Sequence, residues 1–435
     1  MLRRGTCLAL VALLTMAGAG TAQLLPSLGG GIGQATGGVG QAAAGAERLG
    51  DSLGDSIAQT AGHANGLAAR LARSRLDRLG NLVRRNPQAL EFDARGDAAV
   101  KGELVAIDAN PAMLQKAAAA GFVLVEQGDL AGLGMTAARL RAPAGMPLAK
   151  AEKLLARLMP SAAVQSNPLY QQSATAPATA SAIPSANIDG ADPGAPIGLI
   201  DGGIAPHPAL PRTIVQRGFA QGAPAPGDHA TAIASILVGR AMIRGVSPGS
   251  RLFAADVYGR DPSGGNALAI ARALGWLVAS GVTVVNISLA GPDNMLLSRA
   301  IQAADRRGVL IVAAVGNDGA AAPPAYPASY PQVIAVTGVD GNGRTLIEAG
   351  RAAHIDFAAP GADLLAANAA GGVGKVRGSS FAAPFVTARL ARLTASAPVP
   401  RPRAIALLAA EARQAKIGAA SGYGRGIVCG ACATR

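Results

Sequence analysis

Aromatic residues are scarce in this chain: Phe, Tyr and Trp together make up 3% of 435 residues, with a single Trp. No nucleic-acid-binding motif accompanies the net charge of +13, so nucleic acid is set aside as a partner. The basic surplus reads mainly as background composition, with some pull toward anionic surfaces or acidic substrates. Cysteine is nearly absent. Cys7 lies in the N-terminal segment, and Cys429 and Cys432 form a Cys-Gly-Ala-Cys run near the other end. Zinc would need two more ligands nearby, and none is apparent. A thioredoxin-like role would need a surrounding βαβ unit, which the pattern lacks. No metal and no cofactor are therefore expected. Histidine occurs at positions 63, 207, 229 and 354 only, which leaves few places for an imidazole base.

Long apolar runs are missing beyond the N-terminus. Residues 1–22 carry Arg3 and Arg4, then an apolar core from Cys7 to Met16, then small residues. That is the pattern of a secretory signal peptide, too short to span a bilayer, with cleavage expected after Ala22. It implies a secreted or periplasmic, cell-envelope location. In that oxidising setting Cys429 and Cys432 are expected to form one local disulfide. No later segment reads as transmembrane, and the protein is expected to be a monomer.

Four short motifs carry chemistry. Gly378-Ser379-Ser380-Phe381-Ala382-Ala383-Pro384 opens an apolar run that reads as a helix. Ser380 then stands at a helix N-terminus, where unpaired N–H groups and the helix dipole favour developing negative charge. Pro384 is expected in the first helical turn, where its missing N–H costs nothing. A serine nucleophile needs a base, and the base needs an orienting group. The strand Ile197 to Asp201 ends in Asp201-Gly202-Gly203. Gly227-Asp228-His229 opens a second helix, with Asp228 as the expected N-cap and His229 as the histidine with a helix-start context. His207 and His354 read as loop or surface residues. A buried-looking strand, Val309 to Val315, ends in Gly316-Asn317-Asp318-Gly319, and an asparagine there can donate to an oxyanion. Singly, these are a turn, a cap or a common loop.

Together the motifs resemble the subtilisin-like serine peptidases, whose triad runs in the chain order Asp, His, Ser. The intervals fit: 28 residues from Asp201 to His229, 88 to Asn317 and 63 more to Ser380. The resemblance implies Asp201 as orienting carboxylate, His229 as general base, Ser380 as nucleophile and Asn317 as oxyanion donor. It also implies that Asn286-Ile287-Ser288-Leu289-Ala290-Gly291 supplies a substrate-binding strand, with Ser288, Leu289, Ala290, Gly291 and Gly316 touching protein or peptide substrates. Many relatives bind calcium, but carboxylates are sparse here and no ligand cluster stands out. The chain departs from the family pattern at Gly202 (usually Ser or Thr), Ala230 (usually Gly), Ala290 (usually Gly) and Ser379 (usually Thr). All are small-for-small changes.

The remaining pattern divides the chain into a signal peptide (1–22), a spacer with a basic helical segment (23–98), a smaller domain (99–172), a linker (173–194) and an α/β domain (195–435). Within 47–85, Leu67, Leu71, Leu76, Leu79 and Leu82 alternate with arginines at helical spacing. That segment is either a membrane-touching amphipathic helix or a helix packed on a neighbouring domain with its basic face in water. Residues 102–165 read βαββαβ, the ferredoxin-like split. It resembles the prodomains of the same family, which assist folding and inhibit the enzyme. Leu169 and Tyr170, the large apolar residues nearest the linker, suggest self-cleavage around 169–173 with an apolar preference. From 195 onward strands and helices alternate, which predicts a doubly wound, mainly parallel sheet. The expected protein is a secreted serine endopeptidase made as an autoprocessed zymogen. Two other classes share these motifs: a catalytically dead peptide binder, and an envelope-associated basic protein whose peptidase domain is secondary.

Overall fold

The computed structural model describes residues 66, 69–172, 194–240, 243–413 and 422–429. The expected signal peptide, most of the spacer, the linker and Cys432 lie outside the described residues. In chain order, helix α1 (69–85) and strand β1 (Leu90–Phe92) precede β2 (Ala98–Ile107), α2 (Pro111–Ala119), β3 (Val123–Leu130), β4 (Met135–Arg141), α3 (Leu148–Leu158) and β5 (Ala163–Pro168). Helix α2 starts where the sequence dictates. Asn110 Oδ1 accepts from Met113 N–H at 3.0 Å, and Pro111 occupies the first helical position, where its missing N–H has no partner to lose. The sheet runs β3-β4-β2 with β5 on the other edge of β2, antiparallel throughout. This is the expected split βαβ order. It differs at its start: β1 pairs with β2, so the sheet reaches back into residues assigned to the spacer.

A short strand, β6 (Gln171–Gln172), leads to the linker. Beyond it come β7 (Ile197–Asp201), β8 (Val215–Gly218), α4 (Asp228–Val238), β9 (Leu252–Asp256), α5 (Ala267–Ala279), β10 (Val284–Ile287), β11 (Leu289–Ala290) and α6 (Met295–Asp305). Then follow β12 (Leu310–Ala314), β13 (Val333–Val339), β14 (Phe357–Pro360), the hairpin β15 (Leu364–Ala367) and β16 (Val373–Val376), α7 (Ser379–Leu393) and α8 (Arg401–Glu411). The main sheet has the order β14-β13-β12-β10-β7-β9-β8, and every neighbouring pair is parallel. Five of its strands were legible as apolar runs. The two edge strands were not: β8 is Val-Gln-Arg-Gly and mostly exposed, and β14 is four residues ending in proline.

Alternating side chains of these strands feed two cores. Ile197, Leu199, Val284, Val312 and Val336 pack with α4, α7 and α8. Ile200, Val285, Ile287, Ile311 and Ala313 pack with α5 and α6. A strand buried on both faces must be apolar at consecutive positions, which is why these strands read as continuous runs. Ala64–Arg435 form one compact unit. The smaller sheet turns Leu104 and Ala106 toward α2 and α3 and Val105 and Ile107 toward the α5–α6 core. Its last strand also meets helix termini. Asn167 Oδ1 accepts from Leu268 N–H at 3.0 Å, and Gln165 Oε1 accepts from Met295 N–H at 2.7 Å. Both donors lie in first turns of α5 and α6, where N–H groups have no partner within the helix.

The β13–β14 end of the sheet holds a titratable tie. His354 Nε2 lies 3.0 Å from Val333 O and 3.3 Å from Asp356 Oδ2. The hydrogen bond to Asp356 raises the His354 pKa above its ordinary value, against burial, which lowers it. A histidine held above its unfolded pKa stabilises the fold fully below that unfolded value, and the contribution is lost as pH rises through the folded pKa. In the Ser380→Ala background, the melting-temperature advantage over His354→Gln should therefore be larger at about pH 5.5 than at about pH 8.5. Thermal unfolding monitored by circular dichroism checks this, and an advantage that grows with pH would contradict it.

Candidate active site

Strand β7 delivers Asp201 at its C-terminal end, beside the point where the chain switches from the β9–β8 side of the sheet to the β10 side. Open α/β sheets place their sites at such a point. The carboxylate is fully buried. Its Oδ1 accepts from Gly202 N–H at 2.7 Å, and His229 Nδ1 lies 2.9 Å from each oxygen. Since the carboxylate can only accept, Nδ1 carries the proton and Nε2 is the basic atom. Among the described residues, buried Nε2 finds no hydrogen-bond partner. His229 is the second residue of α4 and packs against the Phe381 ring at 5.4 Å. The N-cap is Gly227, not Asp228. Asp228 instead accepts from Ala369 N–H at 2.7 Å, outside its own helix.

Ser380 is the second residue of α7, as its motif implies, and is fully buried. Its Oγ lies 3.3 Å from Ser288 O. Pro384 is not in the first turn; it lies inside the helix. A proline there cannot bond the carbonyl four residues back, which is that of Ser380. The loss is made good from another strand: Ser288 Oγ donates to Ser380 O at 3.0 Å. Asn286 Nδ2 in turn donates to Ser288 Oγ at 2.8 Å, and Thr387 Oγ1 lies 3.0 Å from Asn286 Oδ1. Sequence reasoning missed Thr387. The signal was a hydroxyl one helical turn beyond an interior proline.

Asn317 follows β12 by three residues. Gly316, at φ +82°, turns the chain there, a conformation that only glycine adopts freely. Its carbonyl accepts from Gly350 N–H at 2.7 Å and from Ser379 Oγ at 2.8 Å. Asn317 Oδ1 accepts from Ser379 N–H at 2.9 Å, which makes the other end of the amide, Nδ2, the donor.

The groove beside these groups is occupied by the chain itself. Strand β6 pairs antiparallel with β11, Gln172 opposite Leu289 and Gln171 opposite Ala290. Leu169 bridges Asn266 on the other side. Tyr170 N–H donates to Gly265 O at 2.8 Å, its carbonyl accepts from Tyr258 Oη at 2.9 Å, and its own hydroxyl donates to Pro292 O at 2.7 Å. Burial raises the pKa of both tyrosines well above the ordinary phenol value, so both stay donors. A Cβ on Gly291 would meet the Tyr170 ring at 2.5 Å. Of the four residues expected along this strand, Leu289 and Ala290 pair with β6 and Gly291 packs against Tyr170, while Ser288 is fully buried. The residue of this segment bonded to Asp201 is Gln172 rather than Leu169 or Tyr170, its Nε2 donating to Asp201 Oδ1 at 2.8 Å.

Helix α1 also reaches this region. Arg78 pairs with Asp318, the residue after Asn317, and Arg75 Nε lies 3.3 Å from the same carboxylate. Over 69–85, Leu79 of this helix packs with Leu90 and Ala98, and two of its arginines pair with Asp318 rather than facing water alone. His207 lies buried in a loop rather than at the surface, accepting from Ala209 N–H and bonding Gly372 O.

A family model described as the subtilase family matches residues 192–426. The chain belongs to the subtilases. It is a serine endopeptidase of that family. Subtilisin BL and subtilisin Savinase of Lederbergia lenta are each 33% identical to it over 202 residues, 44% of this chain and 73% of theirs. Subtilisin DY of Bacillus licheniformis is 29% identical over 212 residues, 46% of this chain and 77% of its own. Fervidolysin from Fervidobacterium pennivorans, a keratinolytic enzyme related to subtilisin, shares the fold at a TM-score of 0.65. That likeness covers 78% of this chain and 62% of fervidolysin at 18% identity.

The Ser288–Ser380 bond yields a test. Ser288→Ala leaves a buried carbonyl unpaired and should cost about 1–3 kcal/mol of stability. Pro384→Ala in the same molecule restores a donor to Ser380 O and should recover part of the loss. Denaturant unfolding of the two single variants and the double variant in the Ser380→Ala background measures the coupling. Strictly additive effects would refute the link.

Proposed function

We propose that this subtilase is secreted as a zymogen, that Asp201, His229 and Ser380 form its catalytic triad, and that the segment up to Gln172 inhibits it until it cleaves itself. The observation that carries the reading is the β6–β11 pairing. An extended segment that adds backbone bonds to a groove strand lies there as a peptide substrate would. The antiparallel register pairs Gln172 with Leu289, so its next step is Ser288, whose carbonyl lies 3.3 Å from Ser380 Oγ. Cleavage is therefore assigned to the bond after position 173, at the end of the range expected from sequence. Helix α1 extends the inhibitory unit beyond the expected 99–172, since its arginines hold the loop that carries Asn317.

In the reaction, His229 Nε2 takes the proton of Ser380 Oγ as that oxygen bonds to the peptide carbonyl carbon. Asp201 keeps the proton on Nδ1 and stabilises the imidazolium. Asn317 Nδ2 and the Ser380 backbone N–H hold the oxyanion. The carbon–nitrogen bond then breaks with transfer of the proton from Nε2 to the leaving amine, and water hydrolyses the acyl-enzyme by the same steps in reverse. Secretion rests on the pattern of residues 1–22, and the Cys429–Cys432 disulfide on the oxidising destination that secretion implies.

Ser380→Ala should abolish casein hydrolysis and leave the precursor as one chain. Asn317→Ala should lower the rate by about 100- to 1000-fold, the loss usual for one oxyanion donor. N-terminal sequencing of the wild type during maturation should find a first new terminus at Ala174. Casein digestion by Ser380→Ala at the wild-type rate, or a wild type that is active while unprocessed, would overturn the reading. For the cysteines, intact mass with and without reductant should differ by two hydrogens; two freely alkylated thiols would exclude the bond.

A further inference from the structure

The orienting carboxylate has a third donor that the triad does not need. Asp201 Oδ1 accepts from Gln172 Nε2 at 2.8 Å in addition to its bonds from Gly202 N–H and His229. Gln172 is exposed along much of its length, yet its amide reaches a fully buried oxygen. Space for it exists because residue 202 has no side chain: a Cβ on Gly202 would stand 3.2 Å from Gln172 Nε2. Gly202 is also one of the positions where the chain departs from the Ser or Thr of the family pattern.

We propose that Gly202 is a specificity-determining residue: it opens a subsite whose floor is Asp201, selecting peptide substrates with a glutamine two residues before the cleaved bond. This rests on the peptidase reading and on the cleavage position assigned above. The chemistry of the floor decides which side chains fit. A carboxylate accepts and cannot donate, so an entering group must bring an N–H or O–H. Glutamate has the shape of glutamine but sets a second anion against the first. Leucine has similar bulk and no donor. Lysine or arginine would reach the same oxygen but would stand beside the imidazolium that forms during the reaction and repel it. Glutamine brings a neutral donor of the right length, so it gains a charge-assisted bond without opposing the charge on His229.

The test compares peptides Leu-Tyr-Gln-Xaa-Ser carrying a fluorogenic amine after the serine, with Xaa as Gln, Glu or Leu. The enzyme is the self-processed wild type, its active sites counted by fluorophosphonate labelling. The Gln peptide should exceed both others in kcat/KM by about tenfold or more, the size of one hydrogen bond to a charged group. Gly202→Ser should compress the Gln advantage to about twofold or less, since the new side chain takes the space of the amide and supplies a hydroxyl of its own. Gly202→Ala serves if the serine variant does not accumulate. Each result is a ratio between substrates, so a general fall in activity does not disturb it. Equal kcat/KM for the three peptides with labelled wild type, or an undiminished Gln advantage in both variants, would overturn the proposal. Absence of labelling would instead overturn the triad assignment.

Discussion

A buried carboxylate is the constraint around which this molecule is organised. An ionised group removed from water is tolerated only when hydrogen bonds replace its hydration. Asp201 obtains them from three separate stretches of chain: the Gly202 backbone, His229 at the start of α4, and Gln172 at the end of β6. Two of these ties cross between elements. The first fixes α4 against the end of an inner strand of the sheet. The second brings the smaller domain's last residues over the groove. The imidazole orientation and the placing of the Gln172 amide thus share one buried carboxylate.

The second organising contact joins the groove to the proposed nucleophile. An interior proline would ordinarily leave an orphaned carbonyl in α7. Here that carbonyl belongs to Ser380, and its replacement donor is Ser288, which precedes β11. The segment that pairs with β6 and the helix that holds the serine are therefore bonded directly. A shift of one would break a buried hydrogen bond. Buried Ala382, Ala383 and Ala388 let α7 lie close to the sheet and to α4. Few aromatics are needed when layers approach so closely.

The smaller domain adheres through polar as well as apolar contacts. Val105 and Ile107 share a core with α5 and α6, while Gln165 and Asn167 bond the first turns of the same helices. Those N–H groups sit in first helical turns and would bond water if the smaller domain were displaced, so the contact adds specificity at modest cost to α5 and α6. The apolar face is what holds the domain; the polar tips set its register, and register decides that Gln172 rather than Tyr170 meets Asp201.

Local chemistry made much of this legible. Mostly apolar runs of five to seven residues marked the inner strands, because strands buried on both faces have few polar positions. Asn110-Pro111 marked α2, and Asp201, His229, Asn317 and Ser380, each within two residues of a glycine, marked the candidate site. The edge strands escaped notice for different reasons: β8 is mostly exposed and half polar, and β14, though buried, is only four residues long and ends in proline. Pro384 was misplaced because its role depends on Ser288, 96 residues earlier, and the Gly227 cap because Asp228 is drawn to Ala369. By itself the sequence determined the family, the layered α/β architecture and the identity of the candidate catalytic groups, since each is written in residues close along the chain. Only the tertiary structure decided that Arg75 and Arg78 meet Asp318, that Ser288 serves α7, and that Gln172 reaches Asp201 past Gly202. Those contacts join segments far apart in sequence, and only packing sets the distances between them.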